Sequence, residues 1–196
     1  TGTLVRQIEQ GAPFEIFLSA DTESPARLAA AGLADGAPIP FARGRLALVA
    51  APGSPVAVDA RLDGLKRALA AGEVRRFAIP NPELAPYGVA AREALRHAGL
   101  LEAMTPRLVL GENVAQAAQF VASRAAEAGI VSLSLAGAGA SGNQLTAVPL
   151  PVEWHRPINQ SMVLLKRAGP AARALFTTLQ GPAARETFVR HGFAAP

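Results

Sequence analysis

The chain has 196 residues, half of them hydrophobic, with a mean hydropathy of +0.23 and a net charge of +4 from 19 Lys and Arg against 15 Asp and Glu. That length allows one large domain or two small lobes with ample core material, and no apolar run approaches the roughly 20 residues of a membrane span. The absence of cysteine excludes disulfides, thiolate catalysis and cysteine metal sites, and scattered arginines with only 5% aromatics lack the one-sided charge of a nucleic-acid binder.

Residues 1–10 (TGTLVRQIEQ) have helical spacing, with Leu4, Ile8 and Val5 sharing a face and Thr1 or Thr3 placed to cap. The first residues are not a charged segment followed by an apolar one, so no signal peptide is visible. Gly11-Ala12-Pro13 ends the helix. Residues 14–19 read as a strand with Asp21 at its C-terminal edge, and 25–31 as a short helix closed by Gly32. Residues 45–51 form a buried strand stopped by Pro52-Gly53, and 63–71 a helix closed by Gly72. The stretch from Phe77 to Leu95 organises the chain: a strand over 76–79, a turn at Pro80-Asn81-Pro82 and again at Pro86-Tyr87-Gly88, then a helix over 88–97.

A strand at 107–110 and Gly111-Glu112-Asn113 lead into a helix over 114–128, with Val114, Ala117, Ala118, Val121 and Ala125 at the helical period. Gly129 is expected to end it, ahead of a strand over 130–133. Residues 136–143 form a small-residue turn, 145–150 and 161–165 are strands, and two final helices cover 170–179 and 182–191. Strands alternating with helices imply parallel sheets and an α/β class, with ligands at the C-terminal strand ends.

His97, His155 and His191 are not spaced for shared metal ligation, and each reads as a surface or helix-capping residue. No Gly-x-Ser-x-Gly elbow and no Walker loop occurs. Asp21 is the acid best placed for function, and a loop-capping role explains it better. What recurs is a small or polar residue at a helix start: Thr1-Gly2-Thr3, Tyr87-Gly88 and Asn113-Val114. Each can aim backbone N–H groups, and the partial positive charge of a helix N-terminus, at an oxyanion. Taken alone, ordinary capping explains the same residues better, since most helices begin with such residues.

Four stretches carry a resemblance. TGTLVRQIEQGAPFEIFLSAD resembles the segment of periplasmic molybdate-binding proteins that reads Ser/Thr-Gly-x-Leu, Arg-Gln-Ile, Gly-Ala-Pro and a strand ending Ser-Ala-Asp. PNPELAPYGVAAREAL is similar to that family's second-lobe loop and helix, GENVAQAAQFVASRAAEAGIV to its Glu-Asn/Asp-Val helix and Gly-Ile-Val, and LQGPAARETFVRHGF to its Gly-Pro…Phe-x-x-x-Gly-Phe ending.

The resemblance implies an α/β, two-lobed periplasmic-binding-protein-like fold with a cleft between the lobes. Lobe one would be residues 1–44 and 153–196, lobe two 45–152, with hinge crossings near 45–51 and 155–161. It also implies a strand and helix ahead of Thr1 that this sequence does not contain.

The function implied is binding of molybdate or tungstate through neutral donors, and delivery to the membrane permease of an ABC transporter. The protein would be a periplasmic monomer with no cofactor, no nucleic-acid partner, no catalytic residue and no metal beyond that of the oxyanion. Thr1 falls at a hydroxyl ligand, Tyr87 and Val114 at backbone N–H donors, and Ser132 where some members carry a tyrosine. Serine is shorter, so that contact is lost or supplied by Tyr87. Asp21 braces the cleft. The competing readings are a cytosolic oxyanion-sensing domain and an enzyme on the same scaffold using Asp21.

Overall fold

Helix α1 (Gly2–Glu9) opens the chain in the computed structural model, which describes residues 1–137 and 145–196. Its buried stripe is Val5 and Ile8. Leu4, expected on that face, is 41% exposed because it lies a full residue's rotation from Val5. Strand β1 (Ile16–Ser19), helix α2 (Glu23–Ala30) and strand β2 (Ile39–Gly44) follow. The sequence reading did not anticipate β2, whose Pro40 and Gly44 mask its strand character. Next come β3 (Leu46–Ala50), α3 (Asp63–Ala70), β4 (Phe77–Pro80) and α4 (Pro86–His97). Helix α4 starts two residues earlier than expected, with Pro86 at its first position, where a missing N–H is harmless.

Helix α5 (Leu101–Met104) and a 3-10 turn lead to β5 (Leu108–Gly111) and α6 (Val114–Ala122). The expected continuation of α6 to residue 128 is corrected: Arg124 takes a left-handed φ of 61° and the chain turns. Gly129 does not cap a helix. It lies inside β6 (Ala128–Ser132), where a Cβ would come within 2.6 Å of the Ala78 carbonyl oxygen. Helix α7 (Leu133–Gly137), β7 (Thr146–Pro149), a 3-10 turn at Val152–Trp154, β8 (Ile158–Leu164), α8 (Pro170–Thr178) and α9 (Pro182–Arg190) complete the chain. The turn expected over 136–143 lies largely outside the described residues, and Ala136 and Gly137 belong to α7.

The chain packs as two units, Thr1–Gly44 with Ile158–Pro196, and Arg45–Pro157. Residues 153–157, which the sequence reading joined to lobe one, pack in the second unit: Arg156 bonds to Glu93 and Trp154 stacks on His97. The first unit holds a three-stranded sheet in the order β1-β8-β2, entirely antiparallel. Alternation along β8 sends Met162 and Leu164 toward Phe41 and Phe176, and Val163 toward Val5, Ile8, Phe17 and Leu28.

The second unit holds five strands in the order β5-β4-β6-β3-β7. The expectation of parallel sheets holds only for β5, β4 and β6, because β3 runs antiparallel to both its neighbours. Every residue of β3, β4 and β6 is buried, as strands covered on both faces require. Helix α6 covers one face, packing Ala117 and Val121 on Val49, Ala78 and Val131.

Candidate functional site

Because β5, β4 and β6 are parallel and adjacent, their C-terminal ends, Gly111, Pro80 and Ser132, lie at one edge of the second unit's sheet. Helices α6, α4 and α7 begin there. Tyr87, Val114 and Ser132 are thus brought to the same edge, on three neighbouring strand–helix junctions. Neighbouring strands lie about 4.8 Å apart. Thr1, the fourth expected site residue, belongs to the first unit.

The junction after β4 is built by Asn81. Its N–H donates to the Gly111 carbonyl at 2.7 Å, tying the loop to the end of β5. Its carbonyl accepts the Leu84 and Ala85 N–H groups, and its side-chain oxygen accepts the Glu83 N–H at 3.0 Å. The turn delivers the chain to Ala85, the extended N-cap of α4. Pro86 has no N–H, so the Tyr87 amide is the first donor of the helix. Gly88 permits this seat, since a Cβ there would collide with the Pro80 carbonyl. Tyr87 itself is buried, 5% exposed.

The junction after β5 is held by a reciprocal side-chain pair related to a capping box, reaching one residue further back than the N-cap. Asn113 Oδ1 accepts the Gln116 N–H at 2.9 Å, and Gln116 Oε1 accepts the Glu112 N–H at 2.7 Å. The Ala117 N–H returns to the Asn113 carbonyl. That leaves the Val114 and Ala115 amides as the first-turn donors with no acceptor inside the helix. Ala115 was not singled out from the sequence, although the Asn-x-x-Gln pattern that exposes its amide was legible there.

After β6, the Ser132 side chain is buried. Its Oγ accepts the Ser134 hydroxyl at 3.1 Å and the Leu135 N–H at 3.4 Å, so it caps α7. It retains its own O–H as a donor. Thr1 is the N-cap of α1 by position: its carbonyl accepts the Val5 N–H at 3.1 Å, and its side chain makes no capping bond.

Asp21 is a capping aspartate. Its two carboxylate oxygens accept the Ser24 N–H at 2.7 Å and the Ser24 hydroxyl at 3.0 Å, and its carbonyl accepts the Ser161 hydroxyl at 3.0 Å. Both carboxylate oxygens are thereby engaged at the start of α2. The histidines divide. His97 ends α4 and stacks on Trp154 with ring centroids 5.0 Å apart, and His191 caps α9 through a contact of Nδ1 with the Thr187 carbonyl at 2.8 Å. The surface or capping role expected of His155 is corrected, since its side chain is buried. Among the described residues no group of three or more His, Cys, Asp or Glu could hold a metal ion, and no helix is long and apolar enough to cross a membrane.

Two α/β units, the second gathering helix N-termini at the C-terminal edge of its parallel strands, are the build of the periplasmic-binding-protein class. The chain belongs to the family of bacterial extracellular solute-binding proteins, whose sequence profile matches residues 1–194. It is 38% identical to the molybdate-binding protein ModA of Azotobacter vinelandii, over 98% of this chain and 75% of that protein. It is 36% identical to ModA of Rhodobacter capsulatus, over 98% of this chain and 74% of the relative. The solved structure of the Azotobacter vinelandii periplasmic molybdate-binding protein matches it with a TM-score of 0.85 at 32% identity, covering 100% of this chain and 84% of that one.

Proposed function

We propose that this protein is a periplasmic receptor for molybdate, and for tungstate of the same shape and charge, that passes its ligand to the permease of an ABC transporter. The observation that carries the reading is the placing of Tyr87, Val114 and Ser132 on three adjacent strand–helix junctions, in a chain 38% identical to a molybdate-binding protein. The Tyr87 and Val114 amides and the Ser132 hydroxyl are the proposed donors on this edge, and Thr1 the donor from the first unit.

A tetrahedral dianion has four oxygens to satisfy, and neutral N–H and O–H groups do so while helix N-termini supply partial positive charge. Neutral donors also allow release, because no buried counter-charge must be re-solvated when the anion leaves. No step of covalent chemistry belongs to this role, and the ligand carries the only metal it requires.

Isothermal titration of the protein with molybdate, tungstate and sulfate tests the reading. Molybdate and tungstate should bind saturably and sulfate much more weakly, since its smaller tetrahedron leaves the same donors overstretched. Preference for sulfate, or no binding of any of the three, rejects it.

A further inference from the structure

We propose that Glu93 and Arg156 are positioning residues that lock α4 to the segment by which the chain leaves the second unit. The inference rests on the oxyanion reading, because α4 is the helix whose first amide belongs to Tyr87.

Three contacts join the helix to residues 154–156. The Arg156 N–H donates to Glu93 Oε2 at 2.8 Å, and its Nε–H donates to Oε1 at 2.7 Å, so both oxygens of one carboxylate are engaged by one residue. One turn further along α4, His97 stacks on Trp154 at an interplanar angle of 26°. Between these anchors His155 is buried, with its Nδ1–H donating to the Arg156 carbonyl at 2.8 Å and its Nε2 without a hydrogen-bond partner among the described residues.

Two residues after His155 the chain crosses from Pro157 into Ile158 of the other unit. The N-terminal end of α4 lies close against the end of β4, where a Cβ on Gly88 would collide with the Pro80 carbonyl. Helix α4 therefore runs unbroken from the proposed donor at Tyr87 to the segment that precedes the crossing.

The two legs of the clamp are unequal. The Arg156 side chain is 80% exposed and its ion pair is a weak surface one, whereas the Glu93 side chain is 19% exposed and its bond to the Arg156 amide is the structural leg. Occupation of the Tyr87 end by an anion should then restrain the amide at the Arg156 end, and loosening Glu93 should weaken the hold on the anion.

Hydrogen exchange of the Arg156 amide, with and without saturating molybdate, provides the test together with molybdate titrations of Glu93→Ala, Glu93→Gln and Arg156→Ala. In the unsubstituted protein molybdate should slow exchange at Arg156 by about tenfold. Glu93→Ala should bind molybdate about tenfold more weakly and lose that ligand-dependent protection. Glu93→Gln, which keeps an acceptor for the Arg156 N–H, should recover most of both, and Arg156→Ala should change affinity less than about threefold. Exchange at Arg156 indifferent to molybdate, or Glu93→Ala binding within twofold of the unsubstituted protein, overturns the inference while leaving the receptor intact. The exchange measurement needs no variant and stands even where Glu93→Ala misfolds. Failure of the unsubstituted protein to bind either oxyanion overturns the receptor reading itself.

Discussion

The side chain of Asn113 governs which amides of α6 remain available. By accepting the Gln116 N–H it removes one donor from the first turn, and the Val114 and Ala115 amides remain without an acceptor inside the helix. A neutral side chain does this without adding a negative charge beside a proposed dianion. Asn113→Ala should lower stability by about 1 kcal/mol, the usual effect of losing such a cap. Its molybdate affinity should fall severalfold, and Asn113→Ser should restore both; denaturant unfolding and calorimetry on the same preparations measure the two. Equal affinity in Asn113→Ala would mean the cap serves the helix alone. The opening of α6 at Asn113-Val114 was legible in the sequence, whereas the pairing of Asn113 with Gln116 was not singled out there. The latch from Asn81 to the Gly111 carbonyl was not, since it joins main-chain atoms thirty residues apart and leaves no mark on side-chain choice.

Among the elements, β6 shows most directly how close packing shapes the second unit. Gly129 faces the Ala78 carbonyl on β4 and the Val121 side chain on α6, and an added Cβ would lie 2.6 Å from the first and 2.9 Å from the second. The carbonyl belongs to the sheet ladder and cannot move aside. Gly129→Ala should therefore lower stability by about 1–3 kcal/mol, the range for overpacking a filled core. Gly2→Ala, where no atom stands within 4 Å and the backbone is helical, should be neutral or stabilising. Thermal unfolding of the two variants side by side makes the comparison, and equal melting temperatures would show that the strands separate at little cost. The same glycine explains a failure of sequence reading. A glycine after an alanine-rich helix reads as a terminator, yet the helix had already ended at Ala122 and glycine was required by a neighbouring strand. Buried strands such as β3 were legible from unbroken apolar runs. The antiparallel pairing of β3 was not, because strand direction depends on the path of the chain and not on the strand's own residues.

At the scale of the whole chain, most elements, though not β2, were readable from local pattern, and the family from resemblance. The place where residues 153–157 belong depends on a contact between positions 93 and 156 that no local rule encodes. That contact also enters the response of the molecule to acid, together with Asp59. Burial pushes the Asp59 carboxyl up, but the Gly64, Asp63 and Arg61 amides and the Arg67 charge outweigh it and hold the group below its ordinary 3.8. Burial likewise raises Glu93, and the Arg156 amide, side chain and charge, with a contribution from His155, bring it below its ordinary 4.5. For groups depressed in the folded state, stabilisation is complete above the unfolded values and disappears as pH falls through the folded ones. Urea midpoints should thus hold steady from pH 7 to about 5 and fall as the pH drops from 4.5 to below 3.8. The double variant Asp59→Asn, Glu93→Gln should be less stable at pH 7 and should lose less on acidification, since neither group can then take up a proton. A double variant that falls as steeply as the unsubstituted protein would place the acid sensitivity in other carboxylates. A variant as stable at pH 7 as the original would show that amide wrapping of Asp59, with its Oδ2 only 2.7 Å from the Gly64 nitrogen, contributes nothing net to the fold.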